Sequence, residues 1–190
     1  MRNPAELQPR RDAEATRAAI LRAARESFSA RGFEVAGLRE IAASAGCNIA
    51  LISRYFGSKE GLFRSVMEEC LDLGALTEVA DADLPAAIAE MALAKDGGAS
   101  GFDAMIAAIR SSSSEAARRI VREELGEPMV AALAERLGGS DADTRAALVL
   151  SVVAGFDVSR HMICVDALDR THDDRLRPRL QAAIAAILER

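Results

Sequence analysis

The sequence predicts an all-α protein in two parts: a three-helix N-terminal head over residues 1–57 and a helical bundle over 58–190. Three observations predict it. Alanine, leucine, glutamate and arginine dominate while prolines number five, a composition of strong helix formers with few breakers. Apolar residues recur at helical spacing, and the period-two alternation of strands is scarce. Between Leu38 and Phe63 the run LREIAASAGCNIALISRYFGSKEGLF holds two short helical segments split by a turn at Gly46, with a third opening at Ser58.

The elements follow in order. Residues 1–11 carry two prolines and polar groups and read as a mobile arm. The first helix spans Asp12 to Arg31, with Ile20, Leu21, Ala24 and Phe28 as its apolar stripe. Gly32 ends it in the position favoured by left-handed capping glycines. The second helix runs from Leu38 to Ala45, the third from Ile49 to Phe56, and the fourth from Ser58 to Val79. Ser58 and Gly61 do not complete a capping box, although Glu60 suits the positive end of that helix.

Beyond Val79, the stretch DADLP at 81–85 breaks the chain, and Pro85 fits the first turn of the next helix. KDGGASG at 95–101 is a flexible loop by composition. A helix follows from Phe102. The four serines at 111–114 interrupt it, the last able to cap the helix from Glu115. Pro128 interrupts or kinks the run from Glu115 to Leu137. Gly138, Gly139 and Ser140 precede a long helix over Asp141–Leu168. A final helix starts at Asp173, with Leu180, Ile184, Ile187 and Leu188 on one face and Pro178 early in its course.

Charge is unevenly placed. Residues 1–60 hold ten Lys/Arg against seven Asp/Glu, while 61–190 hold fourteen against twenty-two, so a head of +3 and a remainder of −8 make up the net −5. A locally basic surface attracts phosphate whatever the total charge does. Cys47, Cys70 and Cys164 are odd in number and form no CxxC pair, which suits a reducing cytoplasm. The opening MRNPAELQPRRDAEA lacks the apolar core of a signal peptide. The most apolar run, Ala146–Ile163, is broken by Asp157, Arg160 and His161, too interrupted for a membrane span. It reads as a buried helix.

Two short helices about a glycine turn are the helix-turn-helix layout, whose second helix lies in the DNA major groove. Over Thr16–Leu71 the succession ILRAARESFSARGF, LREIAASAGCNIALISRYF and GSKEGLF resembles the TetR family of one-component bacterial transcriptional repressors. The resemblance implies roles residue by residue. Arg39 matches a position that reaches a base edge or phosphate, and Asn48 one that caps the third helix and approaches the DNA backbone. Ile49, Ala50, Leu51, Ser53 and Arg54 span the recognition helix. Tyr55 matches an aromatic whose hydroxyl meets phosphate, and Lys59 the lysine that anchors the fourth helix there. Ile41, Ala42, Cys47, Ile52 and Phe56 match core positions.

The chemistry of those residues agrees. Arginine grips guanine O6 and N7 with two donors. A lysine at a helix N-terminus sits where backbone N–H groups already favour phosphate. Ala50 and Leu51 suit a thymine methyl. Two departures bear on the operator: Gly37 and Leu38 stand where the family has a threonine, and Ser53 stands where it has an aromatic. Arg10 and Arg11 offer a minor-groove arm, set against a plain solvated tail.

By the same resemblance, with the wide apolar faces of the last two helices, the protein is expected to be a homodimer on a palindromic double-stranded DNA operator, with recognition helices ~34 Å apart. A small apolar effector is expected inside the C-terminal bundle, among Met67, Leu71, Met91, Phe102, Met105, Ile106, Val121, Leu125, Met129, Leu150, Ala154 and Phe156. Methionines suit an adaptable cavity and ordinary core alike. Asp157, His161 and Cys164 share one helical face at a spacing that could serve a metal, but a polar pair of Asp157 and His161 is the reading adopted, with no metal and no cofactor. Cys47 reads as a small buried hydrophobe. With His161 and His172 the only histidines, no nucleophile–base pairing, glycine-rich phosphate loop or HExxH is spelled out, so no enzyme is expected. The alternative is a helical dimeric sensor or partner-binding protein without specific DNA.

Overall fold

The computed structural model describes residues 4–69, 79–94 and 101–189, which form helices, turns and no β-strand. Helix α1 spans Pro4–Val35, α2 Leu38–Ser44, α3 Ile49–Phe56 and α4 Lys59–Glu69. Next come α5 at Leu84–Ala94, α6 at Gly101–Arg110, α7 at Glu115–Val121, α8 at Glu127–Leu137, α9 at Ala142–Asp157 and α10 at Asp173–Leu188. The chain divides into two compact units, Met1–Glu69 with Ala107–Val121, and Cys70–Ile106 with Arg122–Arg190. Residues 1–57 therefore share their unit with α4 and with the segment that carries α7.

The first unit is built on a phenylalanine cluster. Phe28 and Phe63 meet edge to face with centroids 4.9 Å apart, and Phe33 meets Phe63 at 5.2 Å. Such arrangements set the positive ring edge against the negative face. Ile20, Ala24, Ile41, Ile52, Leu62, Val66 and Met67 close around them, together with Ala107, Ala117 and Ile120 from the later segment. Gly32 lets that segment come close. Its φ is +73°, and a Cβ there would lie 2.4 Å from the Arg110 carbonyl oxygen, so α1 breaks at this residue and carries on to Val35. The buried Phe33 N–H then donates to Ser111 Oγ at 2.9 Å. Gly61 is required for a similar reason, since a Cβ would lie 2.0 Å from the Phe56 carbonyl oxygen.

The second unit packs α5, α8, α9 and α10 around Leu84, Ile88, Ala92, Leu133, Ala146, Val149, Leu180 and Ile184. One buried cation ties three helix ends. Arg145 Nη2 donates to Gly138 O at 2.6 Å, Nη1 to Leu188 O at 2.8 Å, and Nε to Asp141 Oδ1 at 3.0 Å. A guanidinium is suited to the carbonyls that helix C-termini leave unpaired.

Several boundaries differ from the sequence reading. Residues 4–11, expected as an arm, are helical: Pro4 suits a first turn, while Pro9 lies inside the helix with no N–H to give it. The fourth helix is described to Glu69, and its expected continuation to Val79 falls largely at 70–78, outside the described residues; so do residues 95–100 of the expected loop. Pro128 does interrupt the long run, through a π-helical turn at Arg122–Gly126. The helix expected to reach Leu168 passes into a π turn at Val158–Met162 and stops. Cys164 adopts a left-handed φ of 58° there, and the Val165 N–H turns back to Ser159 O at 3.0 Å.

Candidate nucleic-acid interface

The turn before α3 is made by short-range hydrogen bonds. Gly46, at φ +65°, donates its N–H to Ala43 O at 3.1 Å, and Cys47 donates to Ala42 O at 2.9 Å. Asn48 then opens the helix in an extended conformation, its side chain accepting the Ala50 N–H at 2.8 Å. This is the capping role that the sequence assigns it, and it satisfies a donor that a helix start leaves free.

Two faces of α3 separate cleanly. Ile52 and Phe56 are buried, and Leu51 and Tyr55 lie half-buried against the same core. Ile49, Ala50, Ser53 and Arg54 are exposed, and helical spacing places these four together on the opposite side. Leu51, grouped with Ala50 as a thymine contact, therefore belongs to the inner side of the helix. Ile49 stands outward beside Ala50, with 39% of its surface exposed.

On α2, Arg39 is exposed. Gly37 occupies the N-cap with φ −95° and ψ 131° and offers no side-chain cap, so the missing threonine is a missing hydrogen bond in this head. Glu40 is engaged by the Arg31 guanidinium.

At the start of α4, Ser58 Oγ accepts the Gly61 N–H at 3.1 Å, so half of the capping arrangement forms without a glutamate at 61. The Glu60 carboxyl is held below the usual carboxylate range, first by its own backbone N–H and then by the Ser58 hydroxyl. Lys59 is half-buried. Its ammonium donates to the Glu34 carbonyl at 3.1 Å and lies 4.9 Å from the centre of the Phe33 ring. Tyr55 packs its ring edge-on to Phe56, centroids 6.3 Å apart.

The structure brings together residues that the sequence reading used only as punctuation. Ser111, one of the four serines, is the buried acceptor for Phe33, and Arg110 donates to the Ala30 carbonyl. Glu69, the last described residue of α4, is ion-paired with Arg25 at 3.3 Å and Arg17 at 3.9 Å. These contacts span 44 to 80 positions, and no local pattern announces them.

The candidate effector liners are spread over both units. Met67 is fully buried in the core of the first unit, and Val121 packs against that core. Leu125 and Met129 pack with Ala104 in the second. Phe156 lies against that unit's main core, while Met91, Met105, Ile106, Leu150 and Ala154 are half-buried. Leu71 and the side chain of Phe102 lie outside the described residues, as do the side chains of Arg10 and Arg11.

Asp157 is fully buried, with its Oδ1 3.9 Å from His161 Nδ1. Nearby, Arg160 pairs with Asp173 at 2.8 Å and stands 5.5 Å from the Phe156 ring centre. Cys164 is exposed and its Sγ approaches the His161 carbonyl rather than the imidazole. Among the described residues no group of three or more His, Cys, Asp or Glu is placed to hold a metal, and no helix is long and apolar enough to cross a membrane. Cys47 is half-buried against the head core.

Comparison with known proteins covers both units. Residues 20–66 match the family described as bacterial regulatory proteins, tetR family, and residues 82–188 match the tetracyclin repressor-like C-terminal domain. The HTH-type transcriptional repressor Rv3405c of Mycobacterium tuberculosis is 40% identical over 81 residues, 42% of this chain and 42% of that relative's length. Among solved structures, a TetR-family regulator of Streptomyces coelicolor superposes with a TM-score of 0.58 over 99% of this chain and 98% of that one, at 27% identity. SmeT in complex with triclosan superposes with a TM-score of 0.68 over 89% of this chain and 90% of that one, at 19% identity, a likeness of fold.

Proposed function

The chain belongs to the TetR family of bacterial regulatory proteins, and from that membership we propose a homodimeric repressor that holds a palindromic operator and leaves it when a small apolar effector binds. The observation that carries the DNA reading is the outward face of α3, where Ile49, Ala50, Ser53 and Arg54 stand together with Arg39 exposed on α2. A side chain on a recognition helix is free to meet a base edge only when the fold does not use it, and these five are not used by the core.

Pairing through α9 and α10 supplies the dimer. Leu148 on α9 is 51% exposed, an apolar side chain that a symmetry mate would cover. A two-fold axis then repeats one half-site one DNA turn, ~34 Å, from the other. The effector belongs in the C-terminal unit, where Met91, Met105 and Met129 are half-buried; the triclosan complex of SmeT is a fold relative with a small molecule bound. Coupling runs along the covalent crossings between units, at the end of α4 and at either end of residues 107–121. A difference of ~1–3 kcal/mol between the bound and free forms changes operator affinity 5- to 150-fold.

Arg54→Ala separates this reading from a sensor without specific DNA. A base-reading arginine loses ~1–3 kcal/mol on its own sequence and little on random DNA. Equal losses on both, measured by fluorescence anisotropy, would overturn it. Sedimentation that finds a stable monomer at micromolar concentration would overturn the dimer.

A further inference from the structure

The first two residues of α3, Ile49 and Ala50, carry no hydrogen-bonding side chain. They are exposed, and they stand on the face that also presents Ser53 and Arg54. The N-terminal residues of a recognition helix are those that approach base edges. Two of the backbone donors at this end are already taken, the Ala50 N–H by the Asn48 side chain at 2.8 Å and the Leu51 N–H by Asn48 O at 2.9 Å. The side chains that these two residues offer the bases are a branched apolar group and a methyl group.

Each base pair displays donors and acceptors in the major groove, and thymine alone among the four standard bases adds an apolar group, its C5-methyl. We infer that Ile49, with Ala50 beside it, is a specificity-determining residue that reads thymine through that methyl. Arg54 on the same face, with Arg39 exposed on α2, supplies the charge that brings the apolar pair against DNA. Each operator half-site then holds a thymine facing Ile49, distinguished from cytosine by contact rather than by hydrogen bonding. This inference rests on the operator reading above and deepens it.

Deoxyuridine keeps the pairing and the O4 acceptor of thymine and removes only the methyl. In an operator selected from random DNA, each thymine of a half-site is replaced singly by deoxyuridine, and dissociation constants are measured for wild type, Ile49→Val and Ile49→Ala. One replaced methyl is expected to weaken wild type about fourfold at the position facing Ile49. Ile49→Val keeps that sensitivity, Ile49→Ala loses it, and Arg54→Ala retains it while binding more weakly. Wild type that binds its operator specifically yet ignores uridine at every position would overturn the inference and leave the operator reading standing. So would a uridine penalty that survives unchanged in Ile49→Ala. A pool that enriches no sequence would overturn the operator reading itself, and this inference with it.

Discussion

Lys59 donates a 3.1 Å hydrogen bond to the backbone carbonyl of Glu34, so the cation expected to meet phosphate also fastens the end of α1 to the start of α4. The Phe33 ring, 4.9 Å from the ammonium, holds it in place. An ammonium has three donors, and one spent on Glu34 leaves others for a phosphate oxygen. Lys59→Met is therefore expected to weaken binding to all DNA and to reduce the salt slope by about one. It should also lower stability by about 1 kcal/mol through the lost carbonyl contact. Anisotropy titrations across salt check the first effect and urea melts the second; an unchanged salt slope would leave Lys59 as a structural residue alone.

Gly37 is the weak point of α2. Its backbone angles are those of an ordinary extended residue, and a Cβ there meets nothing nearer than the Glu40 carboxylate at 3.6 Å. Gly37→Ser therefore fits, and a serine at an N-cap gains a few tenths of a kcal/mol over glycine. The same hydroxyl stands where the resemblance puts the family's threonine, so tighter DNA binding is expected along with the higher melting temperature. A lower melting temperature would show that the site does not accept a side chain.

Ser111 sits in the head core with 1% of its surface exposed, accepting the Phe33 N–H. Ser111→Ala leaves that donor buried without its partner, at a cost of about 1–3 kcal/mol. Gly32→Ala should cost more, because the left-handed φ and the 2.4 Å approach to Arg110 O both oppose a Cβ. Denaturant unfolding of the two variants gives the order directly. Gly32→Ala proving the milder would contradict the packing described for this junction.

Arg145 is 5% exposed and serves the C-terminal carbonyls of Gly138 and Leu188. Arg145→Met keeps volume and removes every donor. The expected loss is about 1–3 kcal/mol, the cost of leaving buried carbonyls without their donor; the Asp141 carboxylate is mostly exposed and returns to water. Since it acts on the ends of α8 and α10, dimer dissociation should increase with it, readable by sedimentation. A melting temperature within a degree of wild type would mean that solvent satisfies those carbonyls.

The head was readable because its signals are local. Gly46 needs a positive φ, Asn48 caps within two residues, Ser58 caps within three, and Ile52 and Phe56 share a face by helical period alone. What sequence reading missed lies across long separations. Nothing near Phe33 says that its N–H will find Ser111, and nothing near Ser111 distinguishes it from the three serines that follow. The inward turn of Leu51 depends on which way α3 rolls against Ile41 and Leu62, which a helical wheel leaves open. The end of α9 was unreadable for another reason. Cysteine is a poor residue for a left-handed conformation, so Cys164 gave no stop signal where a glycine would have given one.

The most direct test of the account is selection from a random DNA pool, read at two salt concentrations. An enriched palindrome with half-sites about one helical turn apart is expected, retained at the higher salt and relaxed at the base that Arg54 reads when Arg54→Ala is selected in its place. Weak binding that fades with salt and enriches no sequence would contradict it, and would leave the head a general phosphate binder with no operator of its own.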